Sequence, residues 1–193
     1  MKNFAYFVLL AMLFSASFAY GYYEEASKNR KSFAHSRPTT DPKEFHLADE
    51  LKPVASFLGK KGIGIETNAR ECIQHNIVGW HEAWSNRILL CTNRMRETTS
   101  TNREYNALLG ETLAHEATHV AQFCRRKTNG VPYLGVSANK LYALPYSIQN
   151  SIKQATKTAD AQLTSSLKWR VEAEAFYYES RPGEVAHLLR AYC

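Results

Sequence analysis

The sequence lacks a CxxC pair, a basic stripe, an internal repeat and, beyond its amino terminus, any long apolar run. Each absence removes a class of protein. Without CxxC spacing, zinc held by cysteine is disfavoured. The formal net charge is +6, but its lysines and arginines are scattered and no nucleic-acid module signature is present. The charge therefore reads as surface solubility, and no nucleic-acid partner is expected. The absence of repeats excludes a solenoid. The single long apolar run, Phe4 to Phe14, falls short of the ~20 residues a bilayer span needs. With Lys2 before it and Ser15-Ala16-Ser17-Phe18-Ala19 after it, the run has the order of a secretory signal peptide. Residues 1–19 are accordingly read as a signal cleaved after Ala19, the product as secreted or periplasmic, and the mature chain as free of membrane spans.

What remains after cleavage fits one domain with a core of its own. Cys72, Cys91, Cys124 and Cys193 all lie in it, and an even count in an exported chain suggests two disulfides. Three pairings are possible. Cys72 with Cys91 is expected because both fall in a probable strand pair, leaving Cys124 for Cys193.

Residues 20–40 are polar, without apolar periodicity, and read as a flexible leader, with the domain occupying 41–193. Asp41-Pro42 can open a helix whose apolar face, Phe45 to Leu58, ends at Gly59. Three short β-branched or aliphatic runs follow, Ile63–Thr67, Cys72–Val78 and Arg87–Thr92, read as strands of one small sheet. A polar stretch, Asn93–Asn102, leads to the longest helical pattern, Arg103 to about Arg126. Further helices are expected over Ala138–Ala159 in one or two pieces, Ala161 to about Ser180, and Pro182–Tyr192. The order is α+β: a small sheet, a central helix and a helical C-terminal part.

The long helix carries His115-Glu116-Ala117-Thr118-His119. Residues four apart share a helix face, so both imidazoles can reach one ion, with Glu116 beside it. Zinc lowers the pKa of a bound water to about 7, and a neighbouring carboxylate can take its proton as general base. Chance placement of these residue types is roughly a two per cent event, so context matters. Leu108, Leu109, Leu113 and Val120 supply it, giving the helix a side to bury. A third ligand is needed. The extended metzincin pattern requires glycine where Gln122 stands and histidine where Arg125 stands, which excludes it.

Downstream, Trp169-Arg170-Val171-Glu172-Ala173-Glu174-Ala175-Phe176 offers two carboxylates. With the HExxH motif, this segment resembles the gluzincin clan of metallopeptidases, whose second helix carries a ligand glutamate with small residues one and three positions later. Ala173 and Ala175 stand so relative to Glu172, and Trp169 also resembles the aminopeptidase version. The resemblance implies a zincin-like fold, one Zn2+ per chain held by His115, His119 and Glu172, and hydrolysis of a peptide or protein substrate. The stripe Leu163, Leu167, Val171 and Tyr178 instead centres on Glu174, which stays open as the alternative ligand. Many gluzincins carry an acidic residue one turn after the ligand; Phe176 occupies that place here. The run Leu113 to Arg125 is also similar to a mitochondrial inner-membrane metalloprotease family, whereas the amino-terminal signal points to export.

Other residues have candidate roles. His75 and His81 flank Gly79-Trp80 and read as surface or structural histidines, with a second metal site as the less favoured reading. Tyr177, Tyr178 and His187 are candidate donors to a developing oxyanion. Arg87–Thr92 is the candidate sheet edge for an extended substrate. The competing function is a zinc-binding, non-catalytic interaction domain.

Overall fold

The computed structural model describes residues 48–74, 77–158 and 164–193. The expected signal, the leader, residues 41–47 of the first expected helix and His75 lie outside them; within them that helix is shorter than expected, since Ala48 is extended (ψ 144°) and the α-helix starts only at Lys52. A single 3-10 turn, Asp49–Leu51, enters α1, Lys52–Lys60, which carries Pro53 in its first turn, where proline's missing N–H costs no helical bond. The chain continues through β1 (Gly64–Thr67), α2 (Arg70–Gln74), β2 (Gly79–Glu82), β3 (Arg87–Leu90) and α3 (Thr92–Thr98). Then come α4 (Asn102–Asn129), α5 (Ala138–Tyr142), α6 (Tyr146–Thr158), α7 (Ser165–Tyr178) and α8 (Pro182–Tyr192). The architecture is α+β and mostly helical, with a three-stranded sheet.

The strand order is β1-β3-β2, with β1 parallel and β2 antiparallel to β3. This corrects one expectation: β3, Arg87–Leu90, is the central strand, paired on both sides, and offers no edge to an extended ligand. The outer strand beside α4 is β2. Two further expectations change. The run Cys72–Val78 is not a strand, because Arg70–Gln74 forms a helical turn with Ala69 and Cys72 buried three apart and Ile73 82% exposed. That is helical spacing, not the alternation of a pleated strand. Within the polar stretch Asn93–Asn102, α3 forms around the fully buried Met95, while Thr98 and Thr99 donate their hydroxyls to the Met95 carbonyl.

The long helix α4 is defined at both ends by local chemistry. Thr101 and Glu104 form a reciprocal capping box, and Gly130 closes the helix at φ 75°, a left-handed conformation that glycine adopts without steric cost. α4 packs against β2, β3, α7 and α8, and its core side includes the expected Leu108, Leu109, Leu113 and Val120. The sheet faces two ways. Ile88 and Leu90 join the main core, whereas Leu89 and Trp80 pack with Ala69, Cys72, Ile77 and Cys91 in a smaller one. Arg87 bridges Glu66, Glu71 and Glu82, joining all three strands to α2.

Cys72 pairs with Cys91 and Cys124 with Cys193, as expected. Cys72 does so from helix α2 rather than from a strand. Among the described residues, no helix is long and apolar enough to cross a membrane.

Candidate metal centre

Helices α4 and α7 pack against each other, and both carry small, fully buried residues that allow a close approach: Ala114, Ala117 and Ala121 on α4, Ala173 and Ala175 on α7. That closeness brings a glutamate arm to the histidines. His115 Nε2 and His119 Nε2 stand 3.2 Å apart. Glu172 Oε2 lies 3.7 Å from the first and Glu172 Oε1 3.8 Å from the second. Donors on a tetrahedral zinc with ~2.0–2.1 Å bonds sit roughly 3.3 Å apart, and one ligand atom from each of the three residues lies within 4.8 Å of the others, a triangle that small side-chain movements would close on one ion. Glu172 Oε2 is buried and, among the described residues, accepts no hydrogen bond, an orphaned anionic oxygen that an ion would satisfy. Two imidazoles and a carboxylate also suit zinc chemically.

Each histidine is held from behind. His119 Nδ1 meets Gln122 Oε1 at 2.8 Å, and Gln122 Nε2 donates to the Val171 carbonyl of α7 at 2.9 Å. His115 Nδ1 faces Glu179 Oε2 at 3.4 Å, and the Phe176 ring packs edge-on against its imidazole, centroids 4.7 Å apart. The sequence reading missed Glu179. It sits beyond the end of α7, two turns after Glu172 instead of one, and no spacing rule pointed to it.

Charge around the triangle is unbalanced toward the negative. Burial disfavours a charged His115, yet Glu172 and Glu179 at its two nitrogens, with Glu116 nearby, outweigh this and push its pKa up to about 10. The surroundings favour a cation. Glu172 is held below the usual carboxylate range: burial opposes its ionisation, but His119 and His115 prevail. Glu116 is pushed up to about 8, chiefly by burial, with Glu172 adding to the rise and His115 and the His81 N–H opposing it.

Glu174 has a different position. Its carboxylate accepts the backbone N–H groups of Leu134, Gly135 (2.9 Å) and Val136 (3.1 Å), fixing the segment after α4. It also lies 3.5 Å from Gln122 Nε2, behind His119. Glu116 is almost wholly buried beside β2, with the His81 backbone N–H close enough to favour its ionised carboxylate. Gly79 makes that approach possible, since a Cβ there would overlap the Thr112 methyl group and lie 3.1 Å from Glu116 Oε1. Of the candidate donors, Tyr178 is near Glu174 and Glu184, Tyr177 carries the Arg181 guanidinium on its ring, and His187 is exposed on α8.

No curated protein and no solved structure matches the chain. A family model described as "Domain of unknown function (DUF8637)" matches residues 45–193, a span that holds both helices of the site and all four cysteines. The chain belongs to that family.

Proposed function

We propose that this protein is a secreted zinc-dependent metallopeptidase with a zincin-like site, in which His115, His119 and Glu172 hold one zinc ion and Glu116 is the general base. The observation that carries the reading is the convergence of His115, His119 and Glu172 from two helices, with one ligand atom of each within 4.8 Å of the others and the buried carboxylate of Glu116 beside them. Bound zinc supplies Lewis acidity, polarising a carbonyl and making water nucleophilic near neutral pH.

The chain's own residues do the rest. Glu116, beside the His81 N–H, takes a proton from the water as its oxygen adds to the carbonyl carbon. The same carboxyl then returns the proton to the nitrogen as the C–N bond breaks, leaving a carboxylic acid and an amine. Gln122 and Glu179 orient the two imidazoles. Cys91 donates to the Val78 carbonyl, so ladder alternation turns the polar groups of Gly79 and His81 to the outer edge of β2. An extended substrate beside Glu116 would align there.

The test is metal content together with cleavage. Metal-replete protein should hold one zinc per chain and cleave fluorescein-labelled casein. His115→Ala or His119→Ala should abolish both, because too few donors remain. Wild-type protein with no zinc would sink the reading. Zinc without hydrolysis of casein or a peptide library would favour the binding-module alternative, against which the retained Glu116 argues.

A further inference from the structure

Strand β2 presents its Gly79 face to α4: the missing side chain of Gly79 points at Thr112 and Glu116. Side chains two apart share a strand face, so His81 projects onto the same helix about 6.6 Å further along. Its ring meets the Phe123 ring, centroids 6.0 Å apart. Glu116, His119 and Phe123 stand at i, i+3 and i+7, forming one stripe of α4. His81 thus lies over the stripe that contains the base and one of the histidines, and it is half-buried. Of the three ligand residues the one on this stripe is the most exposed: the His119 side chain is 12% exposed against 6% for His115 and 2% for Glu172. On the other side Phe176 and Glu179 close over His115.

We infer that the His81 imidazole is a further catalytic residue, donating a hydrogen bond to the carbonyl oxygen of a bound peptide as negative charge builds on it. This rests on the metallopeptidase reading above. Peptide hydrolysis needs such a donor; of the three expected candidates, Tyr177 carries the Arg181 guanidinium on its ring, Tyr178 neighbours Glu174 and Glu184, and His187 is exposed on α8. The backbone and side chain of His81 then have separate tasks: the N–H favours the ionised Glu116, and the ring meets the substrate.

The experiment uses the full, disulfide-intact, zinc-loaded protein and two variants. His81→Phe keeps a ring against Phe123 and keeps the N–H beside Glu116, but loses the donor. His81→Gln keeps a donor. Both should hold one zinc and melt as the wild type does. In His81→Phe, kcat on labelled casein should fall by about 10²–10³-fold with KM little changed, as for loss of an oxyanion donor, and His81→Gln should recover part of it. A phosphinic Phe–Ala dipeptide, which imitates the tetrahedral carbon, should bind His81→Phe at least about tenfold more weakly, while acetohydroxamate binds both alike. Wild-type kcat and phosphinate affinity in His81→Phe would overturn the inference. So would loss of zinc from both variants, which would make His81 a ligand or a structural group. Failure of the metallopeptidase reading looks different: wild-type protein without zinc, or zinc-loaded wild type that neither cleaves casein nor binds the phosphinate. Either result removes this inference with it.

Discussion

Within α4 and α7, chemically similar carboxylates acquire different tasks from their neighbours. Glu116 and Glu172 face the histidines, Glu179 stands behind one of them, and Glu174 collects three backbone N–H groups of the segment Leu134–Val136. Substitution by glutamine should separate them. Glu172→Gln should weaken zinc binding by more than about 100-fold, because it neutralises a ligand, and Glu179→Gln by about 10–100-fold, because it loosens His115 only. Glu174→Gln should leave zinc bound and cost about 2 kcal/mol in stability through its hydrogen bonds to the segment. Zinc-competition titration with a chromophoric chelator, read beside urea unfolding, checks all three. Zinc loss in Glu174→Gln with retention in Glu172→Gln would transfer the ligand role. Glu116→Gln should instead keep zinc and melting temperature while turnover falls by ~10²–10⁴-fold, since glutamine cannot accept the proton. Wild-type turnover in that variant would remove Glu116 as the base.

Between elements, the closeness of β2 to α4 depends on Gly79, and the sheet depends on Arg87. Gly79→Ala would drive a methyl group into Thr112 and Glu116. It should cost about 1–3 kcal/mol and lower activity by displacing the base, while zinc remains bound because the ligands sit on α4 and α7. Parallel unfolding, zinc and activity measurements decide this; full activity would show that β2 can retreat freely. Arg87 meets Glu66, Glu71 and Glu82 at 2.5, 2.9 and 2.5 Å, with its side chain 24% exposed. Removing it leaves three carboxylates facing one another. Arg87→Met should therefore destabilise by up to about 3 kcal/mol, and Arg87→Lys should recover little, since a point charge cannot span three partners. Urea unfolding of both variants is the check.

Over the whole molecule, one observed cross-link and one proposed one bear on the site helices. The Cys124–Cys193 bond ties α4 to the chain end across 69 residues, and α8 packs against both α4 and α1. A loop of that length contributes about 4 kcal/mol by chain entropy, so Cys193→Ser should lower stability by an amount of that order. Zinc is the proposed second link, joining α4 to α7. At 100-fold excess over Kd it should add about 2.7 kcal/mol, raising the melting temperature by roughly 8 °C over chelator-treated protein, and the shift should grow with zinc concentration. A melting temperature indifferent to zinc would mean that no ion bridges the two helices.

Local pattern alone determined the longer helices, that the four cysteines should pair, and the positions of His115, Glu116 and His119. Those features arise from contacts within one turn, from composition, or from an even cysteine count. The expectation of a Cys72–Cys91 pair rests instead on a strand at Cys72 that is in fact helix α2. Pro182–Tyr192 matches its expected limits, and proline marks the start of that helix. The α2 turn was not legible, since Cys72, Ile77 and Val78 are apolar enough for a strand and only the sheet's packing decides which are covered. Nor could pattern rank Glu172 against Glu174. Both are buried on α7, and what separates them is the angle at which α7 meets α4 and the return of the Leu134–Val136 segment. Glu179 reaches the site from beyond a helix end, and His81 meets Phe123 of α4 from a strand far back in sequence. Sequence periodicity describes one element at a time; which side chains of separate elements meet is set by how their buried faces pack, and that only the tertiary structure decides.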